Sequence, residues 1–358
     1  MTETILVFPG GLPDALSFRA AAAARGCSVV GASSLGWDAA SDVYDAWERL
    51  PYVHEDGFAP ALADLLRRRR VDAIYAPHGV VAGRLSEILG ELSPDTRLID
   101  ARPLLDKEQA YRELRARVEA LPAGDWFQGS PVEPKPRLSG LELAGLLRLV
   151  DTVPGMSDRD KIAAVVEMMR HAPPGDVVEI GSWWGRSAAL FVWLARRYGV
   201  GPVLCVDPWL SEALPQGVAV LDRASAAHDT DEALRIFEIN LAPLAQGGLN
   251  YLRTYSAEGA GRYTPGLTVE TEAFGATRYS GEIAVLHIDG NHAYERVEED
   301  ARLWTPLVKP GGWIIFDDYV WAFGDGPKQV GDAFIEENAE RVALSFVIGT
   351  ALFVQLAA

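Results

Sequence analysis

Residues 177–187 read VVEIGSWWGRS, and residues 203–209 read VLCVDPW. The first stretch is a short β-branched strand (Val177, Val178, Ile180) that stops at Gly181, where the backbone must turn tightly and leave room for a ligand. A helix is predicted from near Gly185. Its sequence, RSAALFVWLARRY, keeps apolar residues on one face and ends on Arg196 and Arg197, cations suited to the negative pole of the helix dipole. The next strand, Val203 to Val206, ends on Asp207, a carboxylate placed to accept both hydroxyls of a ribose.

A strand, turn and helix without any ligand is the plainest reading of the first stretch alone, and the acid that ends the second shifts it toward a nucleoside cofactor. A nicotinamide dinucleotide would ask for GxGxxG, whose closely spaced glycines let a pyrophosphate approach the helix N-terminus. Here Ser182 follows the first glycine, and the next glycine is Gly185. Glu179, just before the turn, would repel a pyrophosphate but suit the ammonium and sulfonium of S-adenosylmethionine. The residues expected to hold that donor are Glu179, Gly181, Ser182, Gly185, Ser187 and Asp207.

With 358 residues and 49% hydrophobic composition the chain has room for two domains with real cores. Its formal charge of −17 opposes a general nucleic-acid binder, and its one dense basic run, Arg67 to Arg70, reads as a solvated helix end. Cys27 and Cys205 fall in apolar strands of different domains and read as buried free thiols of a reducing compartment. The N-terminus shows no basic region before its first strand, and the tail VALSFVIGTALFVQLAA reads as two strands joined at Gly349 and Thr350 rather than a membrane span. The expectation is a cytoplasmic protein with no membrane or nucleic-acid partner.

Residues 1–120 alternate strand and helix: TILVF, a helix over Asp14 to Arg25, CSVVGA, a helix over Pro60 to Arg70, DAIYA, and a helix over Val81 to Leu89. This parallel α/β unit resembles the domain that precedes the ATP-binding part of ATP-grasp ligases, with Leu105, Asp106, Lys107 and the helix after them similar to the start of the next subdomain. No nucleotide fold of that kind can follow, so a packing, dimerising or substrate-gripping role is expected of it, and the whole as a homo-oligomer. His78, at a strand's C-terminal end, is either a ligand contact or a structural histidine. Residues 121–140, rich in Pro and Gly, read as a linker. Residues 141–358 would then hold helices over Leu141 to Val150 and Asp158 to Arg170, strands at Leu249 to Thr254, Ile283 to Ile288 and Trp313 to Phe316, and the final hairpin: a parallel, Rossmann-like sheet closed by antiparallel strands.

The stretch LHIDGNHAYERVEEDARLWTPLVKPGGWIIFDDY places Asp289 and His292 after one strand, and Asp317 and Asp318 after the next. Parallel neighbours end on one edge of a sheet, so the three carboxylates would converge, a geometry suited to a hard divalent cation bound through oxygen. Without a cation they would raise one another's pKa. The alternative is that they cap strands, and that His292 caps the following helix. From Glu179 to Asp318 the chain resembles the class I methyltransferase family that includes macrolide sugar O-methyltransferases and cephalosporin hydroxylase-like proteins. The resemblance implies Asp289, Asp317 and Asp318 as ligands of Mg2+ and His292 as the base. The family often has Glu where this chain has Asp317, a shorter arm. His287, two residues deeper in its strand, is expected to support the site without joining it.

The resemblance implies methyl transfer to a hydroxyl of a sugar or other vicinal diol, in natural-product biosynthesis. A neutral His292, with a reference pKa of about 6.5, can take the proton. Ser256, with Tyr255 as a stacking partner, is the expected adenine contact, unless both are loop residues. The long segments Pro208 to Thr230 and Glu258 to Gly281 suggest a lid carrying Trp209, Tyr263, Phe274 and Tyr279, or a subunit surface. Two other classes stay open at this point: a nicotinamide or nucleotide-sugar oxidoreductase, and a noncatalytic donor-binding protein.

Overall fold

The computed structural model describes residues 2–100, 103–121 and 127–358. The chain divides into two compact units between Ala116 and Arg117.

The first unit has strands β1 (Thr4–Val7), β2 (Ser28–Ser33), β3 (Ala46–Arg49), β4 (Ala73–Ala76) and β5 (Arg97–Asp100), with helices α1 (Pro13–Ala24), α2 (Phe58–Arg69), α3 (Gly79–Leu92) and α4 (Pro103–Glu119). All five strands are parallel, in the order β3-β2-β1-β4-β5. Alternate residues of β1 feed two cores: Leu6 packs with Val30, Leu62 and Ile74, whereas Ile5 and Val7 pack with Val29 and Ala73. The sequence reading passed over β3 and β5. Both are short edge strands, and the side chains of β3 are only partly buried, so neither shows the run of apolar residues that marks a central strand. Arg68 and Arg69 of the basic run pair with Glu48 of β3. His78 is the residue before α3 and makes no side-chain cap bond there.

In the second unit helices α5 (Gly140–Thr152) and α6 (Arg159–Met168) precede the sheet. It is built from β6 (Asp176–Ile180), α7 (Arg186–Tyr198), β7 (Val203–Asp207), α8 (Ala219–Ser225), α9 (Thr230–Ala245), β8 (Leu249–Arg253), α10 (Ser256–Arg262), the hairpin β9 (Thr268–Thr271) and β10 (Gly275–Arg278), β11 (Ile283–Ile288), α11 (Tyr294–Trp304), β12 (Val308–Phe316), α12 (Gly326–Glu337), β13 (Val342–Ile348) and β14 (Ala351–Leu356). Its seven strands run in the order β13-β14-β12-β11-β6-β7-β8. All neighbours are parallel except β12–β14 and β13–β14, so β14 alone runs against the rest, and this is the parallel sheet with a closing hairpin expected from the sequence. From β6 the chain moves outward one way to β7 and β8, then returns to β11 on the other side. This reversal of strand order beside β6 is where a sheet of this kind has its crevice, at the strands' C-terminal ends.

Two expectations fail here. The segment before α5 is no slack linker: Phe127 is buried, stacked on Phe346 at 4.7 Å and packed against Trp313 at 5.4 Å, and Lys135 donates to the Ala172 carbonyl. Residues 122–126 of that segment lie outside the described residues. Nor do the four aromatics form a lid. Trp209, Tyr263, Phe274 and Tyr279 are all buried, with the Tyr263 hydroxyl donating to Asp176 and the Tyr279 hydroxyl to the Val203 carbonyl. A long connection rich in aromatics reads as a cover, but the hairpin β9–β10 instead gives these rings a core to enter.

Candidate active site

At the end of β6 the chain turns through Gly181 at φ +80°, and its N–H donates to the Val206 carbonyl at 2.9 Å. A Cβ there would strike the backbone of Asp289, so the turns after β6 and β11 touch only because this residue is glycine. Asp207 at the end of β7 fastens the turn. Its Oδ2 accepts the N–H groups of Ser182 (2.9 Å) and Trp183 (3.0 Å), and its Oδ1 accepts that of Trp209 (2.8 Å). Burial raises the Asp207 pKa, with the three N–H groups opposing that rise. The carboxylate expected to take both ribose hydroxyls is thus largely spent on the turn, and a ribose would have to share it. The same bonds occupy the amides that a pyrophosphate would need, which removes the anion site of the nicotinamide alternative.

Behind the turn lies a buried polar row. Register pairs Cys205 with Glu179 and Glu179 with His287, so the three side chains stand side by side on one face of the sheet. Glu179 Oε1 lies 3.0 Å from His287 Nδ1, and its Oε2 accepts the Ser182 hydroxyl at 2.6 Å. Burial works against the charge of Glu179, but the His287 contact and the Ser182 and Ser187 hydroxyls outweigh it and hold its pKa below the usual range. The donor contact expected of Glu179 is corrected: strand alternation turns it into the protein, away from the cleft. Burial beside Glu179 pushes the Cys205 thiol well up, so it is an inert filler.

The row continues to Asp317. His287 Nε2 is 3.3 Å from Asp317 Oδ2, and the ammonium of Lys161, itself only 3% exposed, contacts the same oxygen. Lys161 also lies 3.8 Å from Asp289. It is delivered by α6, whose N-cap Asp158 accepts the Lys161 N–H and is tied to Thr350 in the turn between β13 and β14. Sequence reasoning missed Lys161, and the signal was faint: a lysine in the first turn of a helix whose other buried residues, Glu167 apart, are apolar.

Asp318 stands at φ +49°, a left-handed conformation uncommon outside glycine. That reversal separates two neighbouring carboxylates. Asp317 points to Lys161 and His287, whereas Asp318 meets His292, with Nε2 to Oδ2 at 3.1 Å. The other ring nitrogen of His292, Nδ1, is buried and has no partner among the described residues, and the ring stands edge-on to Trp321 at 4.6 Å. The Asp318 pKa is raised by burial first and by the charge of Asp289 second, with His292 and Lys161 opposing. One ligand atom each from Asp289, His292 and Asp318 lies within 4.8 Å of the others, and the same holds for His287, Asp289 and Asp317. The second trio already faces the Lys161 ammonium. The expected set of Asp289, Asp317 and Asp318 is thus divided between two trios that share Asp289, and Asp317, unlike Asp318, is in contact with the Lys161 ammonium.

These groups border a cleft of about 1040 Å³ that also takes in Gly181, Ser182, Gly185, Ser187, Asp207, Tyr255 and Ser256. Gly185 begins α7 at φ +87°, where a Cβ would strike Leu241 and Phe237. Tyr255 is half exposed, as a stacking partner requires, and Ser256 accepts the Trp304 indole N–H at 2.9 Å. Sequence reasoning also missed Asp300, a buried cleft residue of α11 whose pKa burial pushes up to about 7. Its signal was present: Asp300 sits in the apolar stripe of Val297, Ala301 and Trp304.

Strand order, glycine turn and converging strand ends define a class I methyltransferase domain. In agreement, residues 178–319 match the family described as "Methyltransferase domain", and the chain is an S-adenosylmethionine-dependent methyltransferase. Over 197 residues, 54% of this chain and 70% of the relative, it is 28% identical to the 8-demethyl-8-(2,3-dimethoxy-α-L-rhamnosyl)-tetracenomycin-C 4'-O-methyltransferase of Streptomyces olivaceus. Solved structures similar to it include the O-methyltransferase NovP (20% identity, TM-score 0.39, covering 71% of this chain and 99% of that one). Another is CalS11, a TDP-rhamnose 3'-O-methyltransferase (12% identity, TM-score 0.37, covering 72% and 96%). No helix among the described residues is long and apolar enough to cross a membrane.

Proposed function

We propose that this enzyme moves the methyl group of S-adenosylmethionine to a hydroxyl of a sugar or similar vicinal diol in natural-product biosynthesis, with a divalent cation such as Mg2+ held by Asp289 and Asp318. The observation that carries the reading is the pair formed by His292 and Asp318 beside the donor turn, one ring nitrogen held at 3.1 Å and the other unpartnered. An imidazole paired with a carboxylate at the cleft is the kind of group a general base requires; because its unpartnered Nδ1 is buried, the base role requires the ring to turn a nitrogen toward the acceptor.

The donor set fits a hard cation: two carboxylates from adjacent strand ends, in a cleft wide enough for waters or substrate oxygens to complete the shell. Bound there, such an ion would lower the pKa of a coordinated hydroxyl. His292 takes the proton of the attacking hydroxyl while Asp318 keeps the ring aimed and stabilises the imidazolium that forms. The oxygen then closes a bond to the methyl carbon as the carbon–sulfur bond breaks, and S-adenosylhomocysteine is left. Asp207 and Gly181 shape the turn that holds the donor, and Lys161, His287 and Glu179 fix the strand ends. The rhamnosyl acceptor named for the Streptomyces relative supports a sugar hydroxyl as the nucleophile.

The test is a gain of one methyl group, read by mass spectrometry, on diol-bearing acceptors supplied with S-adenosylmethionine. Activity should vanish in EDTA and return with magnesium. Full turnover in EDTA would overturn the metal assignment, and stabilisation by NAD but not by S-adenosylhomocysteine would overturn the donor.

A further inference from the structure

His292 cannot act as base from where its ring lies. Nε2 faces Asp318 and Nδ1 is buried, so the ring must turn to meet the acceptor, and the fixed point of that turn is the His292 backbone. Whatever holds this backbone helps to aim the base.

Two adjacent rungs tie the loop after β11 to the segment after β7. Asn291 donates its amide N–H to the Pro215 carbonyl at 2.7 Å and accepts the Ala293 N–H at 3.0 Å, so both ends of its side chain are assigned by their partners. Next to it, the His292 N–H donates to Gln216 Oε1 at 2.8 Å. Gln216 is itself held, its own N–H donating to Asp222 Oδ1 of α8 at 2.7 Å. The carbonyl of His292 packs against Gly326, the first residue of α12, where a Cβ would strike that oxygen and the Tyr294 nitrogen. The backbone of the base thus has a hydrogen bond at its N–H and a hard stop at its carbonyl.

The segment that supplies Gln216 is rooted in the donor turn. The Trp209 N–H donates to Asp207 at 2.8 Å, and its indole N–H to the Trp183 carbonyl at 3.0 Å. From Asp207 to Gln216 every residue except Ser211 borders the cleft. Donor turn and base loop are therefore joined along one wall.

We infer that Gln216 is a positioning residue for the methyl transfer: its side-chain carbonyl suspends the His292 backbone from the donor-side segment and sets the pivot on which the base turns. This rests on the reading of His292 as base and deepens it. The role calls for an acceptor at the end of a side chain of this length, and for no charge.

A double-mutant cycle in the full chain tests it, with S-adenosylmethionine, magnesium and methyl α-L-rhamnoside as acceptor. Gln216→Met keeps the side chain's length and removes the acceptor, whereas Gln216→Glu restores one. Gln216→Met should lower kcat about 10- to 100-fold, the worth of a small misplacement of a reacting group, with KM for S-adenosylmethionine within about twofold. Gln216→Glu should regain most of that loss. Placed in a His292→Ala background, Gln216→Met should cost less than about twofold, because a residue that acts through the base then has nothing left to act on. An equal loss with and without His292, or a wild-type kcat for Gln216→Met, would overturn the inference and leave the O-methyltransferase reading standing. A wild-type rate for His292→Ala would instead remove the base, and the inference with it. Deuterium uptake over residues 290–294, read by mass spectrometry, needs no acceptor: Gln216→Met should speed it several-fold, and unchanged uptake would show that the bond to the His292 N–H is not held in solution and overturn the inference.

Discussion

Asp317 and Asp318 are neighbours in sequence and opposites in situation. Asp317 is 5% exposed, contacted by Lys161 and His287, and belongs to a row that runs back through Glu179 to Cys205. Asp318 is turned by its left-handed backbone toward the cleft, where it meets His292 and lies near Asp289. The first region is a dry set of charges that satisfy one another; the second is a set of groups left with capacity to spare. On the proposed mechanism, what a carboxylate at this sheet edge can do depends on whether a cation already faces it and not on how many carboxylates are present.

The sharpest way to break this contrast is to neutralise each carboxylate's partner network in turn. Asp318→Asn removes both the orienter of His292 and one of the two free carboxylates, so turnover should fall below detection while S-adenosylhomocysteine binding, measured calorimetrically, changes by less than about threefold, since the turn at Gly181 and Asp207 is untouched. A variant retaining a tenth of wild-type turnover would move the reactive role to Asp317. His292→Ala should cost about 10² to 10⁴ in kcat, with partial recovery as pH rises and hydroxide replaces the base. An unchanged rate would leave His292 as a helix cap.

The buried side of the contrast predicts a different kind of loss. Lys161→Met leaves Asp317 buried without its ammonium, and removing one partner of a buried ion pair costs roughly 3 to 5 kcal/mol. Urea unfolding should show that loss at pH 7. A change under about 1 kcal/mol, the range of an exposed pair, would mean the row does not depend on the lysine.

Much of this could be read from the sequence because the relevant signals are local. The glycine turn, the acid ending β7 and the DGNH and DDY strand ends each announce themselves within a few residues, and the alternation of strand and helix gives a parallel sheet with a closing hairpin, though not the order of its strands. The division of labour among the carboxylates was not legible. It depends on a lysine contributed by α6, far from β12 in the chain, and on one backbone reversal at Asp318. Glu179 was misread for a related reason: a residue's place next to a ligand turn does not say which face of the strand carries it. The aromatics of the β9–β10 region were misread because composition marks a long loop but not the small hairpin that buries its rings.

Asp300 is the third situation a carboxylate can occupy here, and it yields the smallest and most discriminating effect. It is as buried as Asp317 but, among the described residues, no ion pair reaches it; Ser256 supports its charge, and burial wins, pushing its pKa up to about 7 from 3.8. Unfolded, the same carboxyl ionises near its ordinary value. Between about pH 4 and pH 7 the folded protein therefore holds a proton that the unfolded chain has released, and stability must fall as pH rises through that window before levelling above it. Asp300→Asn carries no charge at any pH and its amide oxygen can still accept from Ser256, so this contribution to the slope should disappear. The variant should match the wild type near pH 4 and exceed it by about 1 to 3 kcal/mol at pH 8, short of the ~1.4 kcal/mol per unit that full linkage allows. Parallel stability curves across that range would show that Asp300 is compensated after all, and would erase the distinction between a carboxylate with a cation and one without.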